Sequence, residues 1–247
     1  WNDEELKEHE SFSRQAHSKG ILAYDGSDGI YLIHSLPKFP GLNNEDLFES
    51  SLPENAGIYS QTFLCVTLDH SNLLKLIDQL SLIKPGIQKS YTDNTFNSEL
   101  DSALNKLINK EKPDKAEKSY SELSSIGGLE MVYFSKPHDL PHLPWDGNIP
   151  SYFKEDLYVG TWVRPALLQD VCSQYKTLNM VKYDVLGMKY SNTQDHSKWG
   201  YSSSSFCIGD LNRTESQLKR SGGVMCLKDS SISAVVQGFV VETEQCK

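Results

Sequence analysis
The tripeptide His-Ser-Lys occurs twice in this chain, at His17-Ser18-Lys19 and at His196-Ser197-Lys198, each time within a run that reads as a β-strand. Residues i and i+2 of a strand project from one face, so each copy predicts an imidazole beside an ammonium. The ammonium neutralises non-bridging phosphate oxygens, and the imidazole serves near neutral or mildly acidic pH as nucleophile, acid or base. Two such pairs suit a phosphodiesterase working by double displacement. One of His17 and His196 attacks phosphorus to give a phosphohistidine; the other protonates the departing oxygen and then activates water. Lys19 and Lys198 hold the equatorial oxygens as charge develops. Chemistry of this kind calls for no metal and no other cofactor. A lone histidine more often fills a core, but two in matching motifs argue against that role.

The flanking residues predict what positions these groups. AHSKGILAYDGSDGIYLIHSLPKFP sets apolar strands on either side of Asp25-Gly26-Ser27-Asp28-Gly29, a hairpin signal that returns His34 towards the first pair. Pairing Tyr24 with Ile30 sets His34 opposite Gly20, whereas a one-residue shift sets it opposite Lys19, and the sequence leaves both registers open. In DHSKWGYSSSSFCIGDLNR, Ser202 to Ser205 read as a loop and Phe206 to Asn212 as a returning strand. That hairpin is expected to bring Asp210 and Asn212 near His196, as orienters of His196 or Lys198 or in plain turn and ladder roles. The spans are alike, 17 residues from His17 to His34 and 16 from His196 to Asn212, which predicts two related half-sites. Trp199 reads as a core residue more readily than as a platform for a base.

Further along, Glu4 to Gln15 reads as a polar helix, Pro37 to Gly57 as a loop, and Gln61 to Leu68 as a strand. Leu73, Leu76, Ile77 and Leu80 predict a helix over Asn72 to Leu82 that covers a sheet and ends before Pro85-Gly86. Leu100, Leu104 and Leu107 predict a second helix to Lys110, and the charged run Lys106 to Lys118 reads as a solvated helix end and loop. Leu129 to Phe134 reads as a strand, and KPHDLPHLPWDGNIP holds too many prolines for regular structure. His138 and His142 have ligand-like spacing, but Pro141 between them predicts a loop and no metal. Asp156 to Trp162 reads as a strand, Lys176 to Leu186 leads towards the second hairpin, and residues 233 to 242 read as a terminal strand or helix.

Four stretches together resemble deoxyribonuclease II, a family of acid nucleases with a phospholipase D-like fold: HSKG followed by LIHSLPKFP, YSQTFLCVTL at Tyr59 to Leu68, DHSKW at Asp195 to Trp199, and CIGDLNR running on to RSGGVMC at Cys226. The resemblance implies an α/β (α+β) fold of two pseudo-two-fold-related lobes, β-sheets flanked by helices, with residues 1–128 in the first and 129–247 in the second. It implies DNA as substrate, 3′-phosphate products, His34 near the active site, and a secreted or lysosomal location. Family members carry a longer region ahead of the first motif, where only sixteen residues precede His17 here. By family position Cys207 pairs with Cys226 and Cys172 with Cys246. Cys65 matches a cysteine whose partner lies in that N-terminal region, which leaves a disulfide-linked segment or a free thiol as its two readings.

Composition suits one large domain or two fused lobes, with 38% hydrophobic residues in 247. No apolar run is long enough to cross a membrane, and Trp1 to Arg14 is too charged for a signal peptide. The sequon Asn212-Arg213-Thr214 is a glycan acceptor in a secreted protein, which conflicts with a buried role for Asn212. Against DNA, the formal charge of −9 predicts poor steering at neutral pH. Adding seven histidine charges leaves −2, and acid titration of carboxylates removes the remainder. A secreted family member that binds without turnover is the alternative. A lipid phosphodiesterase is disfavoured, because Tyr24 and Ser203 stand where the His-x-Lys-x4-Asp pattern needs aspartate.

Overall fold
Apolar alternation on either side of an Asp-Gly-Ser-Asp-Gly turn produces the first hairpin, β1 (Gly20–Tyr24) with β2 (Asp28–His34). The register is Tyr24 with Gly29, the alternative that carries His34 opposite Lys19. β2 then pairs along its whole length with β3 (Phe63–Asp69), closing a three-stranded sheet. The computed structural model describes residues 1, 16–37, 56–88, 90, 98–111 and 119–246. The helix expected at Glu4 to Gln15, most of the Pro37 to Gly57 loop and the end of the Lys106 to Lys118 run lie outside them.

α1 (His70–Ile83) begins where Asp69 accepts the Asn72 N–H and stops at Lys84, whose left-handed φ of 52° precedes Pro85. Leu73, Leu76, Ile77 and Leu80 fall on its buried stripe and pack with Tyr31, Ile33, Val66 and Leu68. Each contributes about 1.5–3 kcal/mol by leaving water. α2 (Ser98–Ile108) lies against α1.

The larger sheet has nine strands among the described residues: β4 (Tyr120–Ser124), β5 (Glu130–Lys136), β6 (Leu157–Gly160), β7 (Thr177–Val185), β8 (Met188–Ser191), β9 (Trp199–Tyr201), β10 (Phe206–Gly209), β11 (Gly222–Leu227) and β12 (Val240–Thr243). Their order is β12-β7-β6-β9-β10-β11-β5-β4, with β8 on β7. Its middle is covered on both faces. Met131 and Tyr133 of β5 and Met225 of β11 point into the core shared with α1, while Val132, Phe134, Val224 and Cys226 point into a second core around Trp145. This explains runs that read as apolar without alternation.

Cys207 and Cys226 face each other across β10 and β11 and are bonded, and Cys172 is bonded to Cys246. Cys65 is a free, exposed thiol on β3. The proline-rich stretch after β5 is more regular than its composition predicts. Pro144–Asp146 forms a 3-10 turn and α3 (Asn148–Phe153) follows, with Pro150 in a first turn where no intrahelical N–H is required. The terminal residues form both alternatives, α4 (Ser230–Gln237) and then β12. The chain is thus mixed α and β, and among the described residues no helix is long and apolar enough to cross a membrane.

Candidate active site
Both His-Ser-Lys segments sit just ahead of their strands, β1 and β9, rather than within them. Their backbones are held by other parts of the chain. The His17 N–H donates to the Ser221 carbonyl at 2.8 Å and the His196 N–H to the Ser60 carbonyl at 3.0 Å. Ser221 is itself fixed: the buried Lys136 ammonium donates to the carbonyls of Leu218 and Arg220, and the Ser221 hydroxyl to that of Ile83.

The imidazole contacts cross over between the hairpins. His17 Nδ1 lies 2.5 Å from the carbonyl oxygen of Asp210, which follows β10 of the second hairpin. His196 Nδ1 lies 3.2 Å from the carbonyl oxygen of Ser35, which follows β2 of the first. In a neutral imidazole an Nδ1–H donated to a carbonyl leaves the lone pair on Nε2, the tautomer a nucleophile or base requires. Each motif thus rests on the end of the other's hairpin. His34 lies between them: its N–H approaches the Lys19 carbonyl at 3.4 Å, its ring stacks on Phe63, and the charges of both Lys19 and Lys198 act on it. Burial chiefly, then Lys19 and the Trp1 ammonium, with a smaller push from Lys198, lowers its pKa from 6.5 to about 3, so His34 is neutral.

A buried carboxylate pins each motif. Asp195 Oδ1 accepts the N–H and hydroxyl of Ser197, and its Oδ2 accepts the Trp199 indole N–H at 3.3 Å. Burial raises the Asp195 pKa and these bonds oppose the rise. Asp210 was expected beside His196 or Lys198, but its carboxylate accepts the Lys19 N–H at 3.3 Å and the Gly223 N–H at 3.0 Å. The reason is that β10 ends at Gly209, whose N–H donates to the Lys198 carbonyl; the chain then turns to the Gly223 carbonyl and the first motif. A Cβ on Gly223 would run into the Tyr133 hydroxyl, so glycine permits this approach. Lys198 donates to the His196 carbonyl at 2.6 Å.

Asn212 is buried, and its Oδ1 has no hydrogen-bond partner among the described residues. Arg213 and Thr214 are at 0% exposure, so the sequon lies in the interior, which speaks for the buried role over a glycan. Trp199 packs in the core with Tyr183, Tyr201 and Phe206. His142, in the loop after β5, engages Asn148 at the start of α3.

Several neighbours of the site lay beyond sequence reasoning. Trp162 and Tyr59 flank His196, at ring distances of 5.3 and 6.3 Å, and pack edge to face on each other. The Arg164 guanidinium lies over Trp162. Arg213, fully buried, binds Asp146, Asn179 and the Gln169 carbonyl, and its N–H reaches the Thr161 hydroxyl. Asp195 was the one neighbour with a visible signal, since it adjoins the motif.

A family model described as deoxyribonuclease II matches residues 1–246. Plancitoxin-1 of Acanthaster planci is 30% identical over 93% of this chain and 65% of its own length. Cell-death-related nuclease 7 of Caenorhabditis elegans is 26% identical over 100% of the chain and 68% of its own, and deoxyribonuclease-2-beta of Mus musculus 31% over 96% and 68%. The chain therefore spans about two thirds of the length of these curated relatives.

Proposed function
This chain belongs to the deoxyribonuclease II family, and on that premise we propose that it hydrolyses DNA phosphodiesters without a metal, through a phosphohistidine, leaving 3′-phosphate ends. The reading rests on one observation, the crossed imidazole contacts by which His17 and His196 each lean on the hairpin of the other motif. One neutral imidazole attacks phosphorus through Nε2 as the bond to the 5′ oxygen breaks, and the other, entering the step as imidazolium with its Nδ1–H on the carbonyl, gives that oxygen its Nε2 proton. The second imidazole then takes a proton from water, whose oxygen displaces the histidine from phosphorus. Lys19 and Lys198 offset the charge on the equatorial oxygens. His34, held neutral between them, adds no charge, and Asp210 fixes Lys19 while Asn212 lies buried two residues on.

The same reading takes the fold as two phospholipase D-like lobes, 1–128 and 129–247, around a pseudo-two-fold axis, in a secreted or lysosomal protein. Cys65 is disulfide-linked to an N-terminal segment; its exposed sulfur lies on the strand that also exposes Phe63. Non-reducing mass analysis of the natural protein should find that bond, and a free Cys65 there would refute it.

The test of function is cleavage of plasmid DNA by the full-length protein at about pH 5 in chelator, with analysis of the ends. Persistent cleavage giving 3′-phosphates is expected. Cleavage only with added divalent metal contradicts the phosphohistidine route, and DNA binding without cleavage hands the assignment to a binding protein.

A further inference from the structure
The rings beside His196 are not core residues. Tyr59 and Trp162 are half-buried and belong to neither apolar cluster, although tryptophan is a costly side chain to leave in contact with water. Their placement is fixed from behind. Ser60, next to Tyr59, bonds the backbones of Gln194 and His196 and the Tyr190 hydroxyl. The segment carrying Trp162 is held at Thr161 by the Arg213 N–H and at Leu168 by the Arg213 carbonyl, with the guanidinium on Gln169. The rings meet at 78°, an edge-to-face contact in which one ring keeps both faces uncovered by the other. The exposed Arg164 guanidinium lies over the Trp162 ring, 5.6 Å from its centroid, a cation on an aromatic face in a chain of formal charge −9, from which an incoming base would displace it.

We infer that Tyr59 and Trp162 form a stacking seat for one unstacked nucleobase next to the scissile phosphate, with Arg164 meeting the adjoining backbone phosphate. The inference rests on the phosphodiesterase reading of His17 and His196 and adds to it the part of the substrate that is read. Every base offers a π-face, so the seat is tolerant of sequence, but it requires the base to leave the duplex stack. Rings serving only to pack the imidazole would act on every phosphodiester alike.

The test uses the full-length protein and a single-stranded oligonucleotide with one cleavable linkage, flanked by a normal nucleotide or by an abasic one. Wild-type kcat/KM is expected to fall about 5- to 150-fold on the abasic substrate, the range that stacking of one base supplies. Trp162→Ala should cleave both substrates at the lower rate, and Trp162→Phe should restore most of the difference. A second measurement needs no turnover: 2-aminopurine at the seated position should be quenched on binding to His17→Ala protein, and not when Trp162→Ala is added. Equal wild-type rates on both substrates with no quench overturn the seat while leaving the nuclease reading intact. Equal losses in Trp162→Ala on both substrates assign the ring to imidazole packing and overturn it too. Quenching in His17→Ala together with a wild-type protein that cleaves neither substrate supports the seat and refutes the nuclease reading.

Discussion
The two His-Ser-Lys segments carry the same residues in different settings. The first is closed: His17 and Lys19 are buried, and Asp210 reaches them from 191 residues away or more. The second is more open: His196 is half-buried, the pinning Asp195 is its immediate neighbour, and the rings of Tyr59 and Trp162 flank it. Each imidazole nevertheless meets a carbonyl through Nδ1, so on the proposed mechanism unlike surroundings leave the same ring nitrogen, Nε2, to react. The residues are duplicated and their supports are not, as suits, on the proposed function, a phosphate held between two motifs beside a polymer that is asymmetric.

The lysines probe this contrast most strongly. Lys19→Ala and Lys198→Ala should each lower kcat by about 10²- to 10³-fold, the scale of losing one group that stabilises transition-state charge. The loss should be larger for Lys198, whose ammonium also bonds the His196 carbonyl. Single-turnover rates on a short oligonucleotide decide this, and equal losses would make the half-sites equivalent.

The support of the second half-site can be broken at a distance. Arg213→Met leaves the partly buried Asp146 without its partner and should destabilise the fold by about 3–5 kcal/mol in urea unfolding. A change below about 1 kcal/mol would show that Arg213 does not anchor the Trp162 segment.

His34 gives a smaller effect that depends on pH. Its folded pKa lies below the unfolded 6.5, so its contribution is complete above 6.5 and drains away as pH falls towards about 3. Between pH 6.5 and about pH 5 wild type should lose about 2 kcal/mol from this group. Parallel urea titrations of His34→Gln should lack that loss, and an identical pH dependence would mean His34 is protonated in the fold.

Much of this was legible in the sequence because it is local. Turn chemistry gave the β1/β2 hairpin, helical spacing of four apolar residues gave α1, and motif resemblance gave both disulfide pairs. The register of β2 was not legible, because period-2 alternation tolerates either partner until the core side of Tyr31 and Ile33 is known. Asp210 was singled out as a residue, but nothing in CIGDLNR marks the turn after Gly209 that carries its carboxylate to the Lys19 N–H. Tyr59, Trp162 and Arg213 meet the site only through long-range packing, which a single sequence does not encode in any nearby pattern.

Whether the motifs form one site or two is the claim beneath all of this, and a double-mutant comparison addresses it directly. Cleavage rates of the full-length protein are measured for wild type, His17→Ala, His196→Ala and the pair at about pH 5 in chelator. Groups acting as a unit give non-additive losses, so each single variant should fall by at least about 10³-fold and the double variant scarcely further. Single variants that each keep about half the activity, or losses that multiply in the double variant, would contradict a shared site.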